Sequence, residues 1–184
     1  MYAPSGVQAH RVGPLSEGDA FVAKWDSSGT LLFTATIGGS KSDTVNALAL
    51  DAAGNVYVAG ETFSPDFPVS SGAFQTSYRT ADPHCGTAFA AKISAAGAGV
   101  TYATFLGGTA CDAAHAIAVD ASGNAYLAGV ANSADFPTTG GVLQPRMASS
   151  SPDSFIAKLN PTGAALTFST YLGGTWEDSA NALA

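Results

Sequence analysis

The 184-residue chain is 46% hydrophobic, and only 11% of its residues are charged, well below the roughly 25% of an average soluble domain. Much of the sequence is therefore expected to pack against other protein surface. Its net charge of −7 with only seven scattered basic residues argues against a nucleic-acid partner. No apolar run approaches the roughly 20 residues of a membrane-spanning helix, so no membrane insertion is predicted.

The first residues carry no clear structural pattern, and residues 1–17 are predicted to be a loop-like N-terminal segment. Residues 1–20 lack both the basic start with an apolar core and the small-residue cleavage pattern of a secretory signal. If the protein is exported, the signal is expected to lie upstream of this sequence.

A repeated motif sets the organisation of the rest. F-V-A-K at 21–24, F-A-A-K at 89–92 and F-I-A-K at 155–158 are separated by 68 and 66 residues. The Gly-Gly pairs and the D-x-x-G-N motifs recur at nearly the same spacing, which identifies a repeat protein.

Each repeat contains four short β-like segments. The first two, at 46–51 and 55–61, flank the turn residues D-A-A-G-N and are predicted to form a β-hairpin. The third and fourth, at 88–93 and 100–108, are joined by a short glycine-containing turn. Because no segment has an apolar stripe at helical spacing, the predicted fold class is all-β.

Four antiparallel strands in a repeat of 66–69 residues are typical of a β-propeller blade, with a β-solenoid as the alternative. This division predicts the outer two strands of a partial blade at 18–44, complete blades at 45–112 and 113–178, and the inner strand of a further blade at 179–184. An incomplete propeller of about two and a half blades would expose blade faces. We therefore expect a fragment of a longer propeller, or, alternatively, several chains completing one ring.

The combination of A-F-V-A-K, Y-L-G-G, D-A-S-G-N, A-Y-L-A-G and D-F-P resembles the bacterial seven-bladed β-propeller repeat family, abbreviated SBBP. The resemblance covers nearly all residues from 18 onward. It implies a propeller fold in a secreted or cell-surface protein, and it implies no established catalytic residues.

The two cysteines of the chain are predicted to form a disulfide. Cys85 precedes the third strand of a blade and Cys111 follows the fourth, and antiparallel pairing makes these two ends neighbours. Such a bond fits an oxidising compartment and would close a loop of about 25 residues, worth roughly 3 to 4 kcal/mol. Two free thiols are the alternative.

Aspartates recur in two kinds of connection that should emerge on the same face of a propeller. They are candidate Ca²⁺ ligands because calcium binds oxygen atoms. Alternatively, each caps a turn by accepting backbone N–H bonds. The candidates are Asp43, Asp66, Asp112, Asp135 and Asp178. No other cofactor is predicted.

Recognition is predicted for the long variable loops at 62–86 and 131–153 and for the mouth of the axial channel. The candidate binding residues are His115, Tyr78, Arg79 and Arg146. The expected partners are other blades of the same parent protein and a protein or glycan ligand.

No nucleophile elbow or phosphate-binding glycine loop is present in the sequence, and no catalytic residue is predicted. The predicted function is a non-enzymatic scaffold or protein- or glycan-binding module of an exported or cell-surface bacterial protein. One alternative is a hydrolase or lyase with a site at the channel mouth, which unrepeated carboxylates or histidines there would favour. The other is a purely structural spacer.

Overall fold

A computed structural model describes the backbone of residues 8–12 and all of residues 18–184. These ranges contain β-strands and no helix, which confirms the all-β prediction. It follows that no helix in them could span a membrane. The strands are β1 (Gln8–Val12), β2 (Ala20–Trp25), β3 (Leu31–Ile37), β4 (Asp43–Leu50), β5 (Val56–Thr62), β6 (Thr87–Ile93), β7 (Val100–Leu106), β8 (Asp112–Val119), β9 (Ala125–Ala131), β10 (Asp153–Leu159) and β11 (Leu166–Leu172).

The strands form three separate sheets. The second sheet has the order β4-β5-β6-β7 and the third the order β8-β9-β10-β11, and all neighbouring strands in both are antiparallel. The first sheet has three strands in the order β1-β3-β2. Four-stranded antiparallel sheets in an open series are the predicted blades of an incomplete propeller, and this fold class is confirmed.

The N-terminal segment differs from its prediction as a loop. Strand β1 pairs in parallel with β3, with Gln8 opposite Phe33 and Val12 opposite Ile37. The physical reason is that β3 is the outer strand of its sheet, so its outer edge offers unpaired N–H and C=O groups to a further strand. Residues 1–7 and 13–17 of the predicted loop lie outside the described residues.

The C-terminal end of the chain also differs from its prediction. Residues 179–184 were predicted to be the inner strand of a further blade, but they form no strand. In the second and third sheets the inner strand is held by the second strand of its own hairpin. No such partner lies beside 179–184 in the described part of the chain, and a single strand is not stable without one. The one backbone hydrogen bond of this segment within that part runs from Ala180 N–H to the carbonyl of Gly129 at 3.4 Å.

The predicted hairpin turn joins β4 and β5. The amide of Gly54 donates to the carbonyl of Asp51 at 2.9 Å, and a φ of +80° explains why glycine stands at this position. The Asp51 carboxylate accepts the amides of Ala53 and Asn55 and so closes the turn from inside. In the equivalent turn the Asn124 side chain lowers the pKa of Asp120 to about 2.

Both inner strands contain a β-bulge. The register of β4 shifts at Asn46, and that of β8 shifts at His115. Opposite the first bulge, a Cβ on Gly60 would lie 1.8 Å from the carbonyl oxygen of Thr44, so only glycine fits there. The bulges rotate Asn46 and His115 out of the regular alternation of the strand.

The hydrophobic core consists of two clusters, each between neighbouring sheets. The first holds Val22 and Phe33 of the first sheet against Phe89 and Phe105 of the second. The second cluster lies between the second and third sheets and includes Tyr57, Tyr102, Leu127, Phe155 and Tyr171. The second sheet therefore buries both of its faces, and the first and third sheets each bury one, which helps to explain the low charge content of the chain.

The core residue Tyr102 is one of four buried residues in the described ranges with a polar side-chain atom that has no partner. The hydroxyl of Tyr102 is buried and makes no hydrogen bond to any described residue, while the equivalent positions in the other repeats are Phe33 and Phe168. Replacing Tyr102 by Phe is expected to raise the free energy of unfolding by about 1 kcal/mol, because it removes the desolvation cost of that hydroxyl. Chemical denaturation measures the change, and a loss of stability would contradict it.

Candidate functional site

The connections between consecutive sheets are held by a repeated set of polar contacts. Residues 107–111 link β7 to β8, and Asp112 at the start of β8 is only 1% exposed. Its carboxylate accepts the amide of Gly108 at 2.8 Å, the amide of Asn132 at 3.0 Å, and both the amide and the hydroxyl of Ser133.

Two further side chains complete this arrangement, which we call the link clamp. Asp135 accepts the amide and the hydroxyl of Thr109, and the hydroxyl of Ser133 accepts the amide of Ala110 at 2.8 Å. Three consecutive amides of the link are thus satisfied by Asp112, Asp135 and Ser133.

The preceding link repeats the three amide contacts of the clamp, and the hydroxyl of Ser64 again donates to the aspartate. The amides of Gly39, Ser40 and Lys41 donate to Asp43, Asp66 and Ser64 respectively, at 2.8 to 2.9 Å. After the third sheet the first contact recurs, since the amide of Gly174 donates to Asp178 at 2.7 Å. The clamp fixes how each sheet follows the last, and G-G-x-x-x-D with S-x-D-F-P is its sequence signature.

All five candidate calcium ligands belong to this clamp, where each accepts a backbone N–H. Their environments differ: burial raises the pKa values of Asp43 and Asp112, whereas the amide of Ser40 lowers the pKa of Asp66. In the described ranges no three His, Cys, Asp or Glu side chains are grouped in a way suited to a metal ion. The contacts match the turn-capping alternative.

The predicted disulfide is present between Cys85 and Cys111, whose Cα atoms lie 4.5 Å apart. It ties the end of the β5–β6 connection to the link between the second and third sheets. Cys111 directly precedes the buried Asp112, so the covalent bond and the link clamp restrain the same few residues. The equivalents of Cys111 in the other links are Ser42 and Glu177, so this bond is not repeated.

A cavity of about 220 Å³ lies beside the disulfide, lined in part by Glu61. Burial raises the pKa of the Glu61 carboxyl and the charge of Asp112 raises it further, while the amide of Gly86 opposes both. Because the folded pKa is above the unfolded one, the contribution of Glu61 to stability is present below its unfolded pKa and is lost as the pH rises through the folded pKa. A comparison of the repeats in the sequence could have singled out Glu61, because the equivalent residue of the next repeat is the apolar Val130.

Two of the four predicted binding residues, Tyr78 and Arg79, are neighbours in the β5–β6 connection. Tyr78 is half-buried, with its ring 5.7 Å from that of Phe105 and its hydroxyl donating to the carbonyl of Cys85 at 2.7 Å. Arg79 forms an ion pair with Asp135 at 2.9 Å, which connects a loop of the second sheet to one of the third.

The other two lie in the third sheet and its loops. His115 is the bulge residue of β8, and its Nδ1 is 3.2 Å from the hydroxyl of Ser179. Its counterpart Asn46 donates to the carbonyl of Ala114 on the next inner strand. Arg146 is exposed in the β9–β10 connection and has no hydrogen bond or ion pair within the described residues.

The outer faces of the first and third sheets expose apolar side chains that are buried elsewhere in the repeats. Phe21 is 57% exposed, although its equivalents Phe89 and Phe155 are fully buried. On the third sheet Phe168 is 38% exposed, against 1% for Phe33 and 2% for Tyr102. Each outer face therefore has the composition of a buried face.

Four-stranded antiparallel sheets that stack face to face, with each link clamped in the same way, define a protein built of β-propeller blades. A family model described as SBBP, beta-propeller repeat, matches residues 30–68 and 101–137, and each matched segment contains the two aspartates and the serine of one link clamp. These two segments are therefore SBBP β-propeller repeats, as the sequence resemblance implied. No curated protein matches the sequence.

Proposed function

We propose that this chain is a non-enzymatic scaffold module of an exported or cell-surface protein. Its two outer blade faces pack against further blades, and its long β5–β6 and β9–β10 connections are presented to a protein or glycan partner. The clamped links keep the sheets at a constant spacing, which is what a rigid scaffold requires.

The exposure of Phe21 and Phe168 carries this proposal. A side chain that is buried in two repeats and exposed in the third occupies a position built for a neighbour. Trp25 adds to the same apolar surface on the first sheet and Leu172 on the third. Apolar surface of this extent marks an interaction site more often than it marks a free surface.

Export is supported by the Cys85–Cys111 disulfide, because such bonds persist in oxidising compartments and are rare in reducing ones. A scaffold role is supported by the way the acidic side chains are used. The repeated aspartates accept backbone hydrogen bonds within the link clamps, which is a structural task.

The proposal is tested by size-exclusion chromatography with light scattering. The wild-type chain is expected to self-associate through its outer faces, and the double substitution Phe21→Gln with Trp25→Gln is expected to shift it towards the mass of one chain. Arg146→Gln, an exposed loop variant, is the control and should leave the mass distribution unchanged. A wild-type chain that is a monodisperse monomer with a cooperative melt would contradict the proposal.

A further inference from the structure

Within the described residues, the first sheet has no counterpart of the two inner strands that the other two sheets possess. In the second sheet β6 pairs with β7 on one side and β5 on the other, and β10 is likewise paired on both sides. Strand β2, which is equivalent to β6 and β10, pairs only with β3 in the described part of the chain. Its inner edge presents backbone N–H and C=O groups that can pair with another strand.

A second observation concerns the face of β4 that looks towards this gap. Leu48 and Leu50 are 58% and 55% exposed. Their equivalents in β8 are Ile117, which is only 8% exposed, and Val119, which is half-buried against the second core cluster. The hairpin β4–β5 covers those two residues, since both of its strands contact β8. No hairpin of the described ranges covers the leucines of β4 in this way.

A third observation concerns charge. Lys92 lies 3.6 Å from Asp51 and Lys158 lies 3.4 Å from Asp120, so each lysine pairs with the aspartate of the D-x-x-G-N turn in its own sheet. The equivalent Lys24 has no carboxylate within 4.0 Å among the described residues. It donates instead to the carbonyls of Gly54 and Ala95, in the β4–β5 and β6–β7 turns of the second sheet.

We propose that the inner edge of β2, the side chain of Lys24 and the exposed leucines of β4 form a docking site for a β-hairpin of the D-x-x-G-N type. The hairpin adds its second strand antiparallel to β2, in the register that places Tyr57 opposite Lys92 in the second sheet. Its small apolar side chains cover Leu48 and Leu50, and its turn aspartate pairs with Lys24. This inference rests on the proposed function, because it names the partner at one part of the assembly surface.

The occupant is a hairpin of a further repeat outside these 184 residues rather than one from a second copy of the chain. Both D-x-x-G-N hairpins of a copy are already paired, β4–β5 with β6 and β8–β9 with β10. Donating either would require a copy to unpair one of its own sheets. A hairpin from a further repeat carries no such cost.

The probe is a labelled 20-residue peptide with the sequence of residues 112–131, which contains a complete hairpin with Asp120 at its turn. It is titrated into the full 184-residue chain by fluorescence anisotropy, and hydrogen exchange maps the protected amides. Saturable binding is expected, with protection of residues 20–25 and 43–50.

Three substitutions test the contacts. Leu48→Asp is expected to weaken binding by about tenfold or more, because it places a charge against the apolar side of the peptide. Lys24→Gln and a peptide carrying Asp120→Asn should each weaken it several-fold, with little further loss in combination. Leu143→Asp, the same type of change at an exposed leucine in the β9–β10 connection, is the control and should leave the affinity unchanged.

The inference is overturned if the peptide does not bind or if Leu48→Asp leaves its affinity unchanged. It is also overturned if Leu48→Asp by itself shifts the wild-type mass distribution to one chain in light scattering, which would make a second copy the occupant. Protection confined to residues 153–172 would also overturn it, yet would leave the proposed packing through the outer faces intact. The proposed packing through the outer faces is tested separately, by light scattering that compares the wild-type chain with the Phe21 and Trp25 double variant.

Discussion

Replacement of Asp112 by Ala is expected to lower the free energy of unfolding by about 3 kcal/mol or more. The carboxylate is buried and accepts three backbone amides and the hydroxyl of Ser133. Alanine leaves the buried donors of Gly108 and Ser133 without an acceptor, and an unsatisfied buried donor costs more than a hydrogen bond contributes. Urea denaturation followed by circular dichroism measures the change.

The matched control is Asp178→Ala, at the same position of the following link. Asp178 is half-buried, and the single donor to its carboxylate in the described part of the chain is the amide of Gly174. Its loss is expected to cost no more than about 1 kcal/mol. Equal losses at the two positions would show that the closed link clamp adds nothing beyond capping a turn.

Replacement of both Cys85 and Cys111 by Ser is expected to lower the free energy of unfolding by roughly 3 to 4 kcal/mol, and the melting temperature by roughly 10 °C. The bond spans 26 residues, so its loss frees a long loop in the unfolded chain. It also releases the β5–β6 connection from the link that carries Asp112. Thermal melting with and without reductant measures both effects.

Reductant supplies the control for this prediction. It should bring the wild-type chain to the melting temperature of the double serine variant and leave that variant unchanged. A wild-type melting temperature that does not respond to reductant, while the disulfide is shown to be reduced, would mean that the link clamp alone restrains this region.

Local features of the molecule followed closely from the sequence. The D-x-x-G-N turn forms because Asp51 can bond the amides that follow it and Gly54 can adopt a positive φ, and both causes act within five residues. The pairing of Cys85 with Cys111 followed from the antiparallel strands between them. The meeting of the two kinds of aspartate-bearing connection was also predicted, although the individual partners in the link clamp were not.

Other features depend on groups that are distant in the chain. The ion pair of Arg79 with Asp135 joins loops of two different blades, so its members share no pattern within either repeat. Strand β1 forms because β3 has an open outer edge, which the five residues 8–12 do not themselves indicate. Tyr78, predicted to line a binding surface, is half-buried against Phe105, and only packing decides which loop aromatic turns inward.

By itself the sequence determined the repeat, the all-β fold class, the hairpins and the disulfide. Periodicity, turn chemistry and the pairing of consecutive strands all depend on residues that are close together in the chain. Only the tertiary structure decided which repeated positions are buried and which remain open. Phe21, Phe89 and Phe155 have the same place in the repeat, and the exposure of Phe21 alone is set by the absence of a sheet packed against it in the described structure. Whether a side chain is buried depends on the sheet that packs against it as well as on the residue itself. The sequence of a single repeat does not specify that neighbouring sheet.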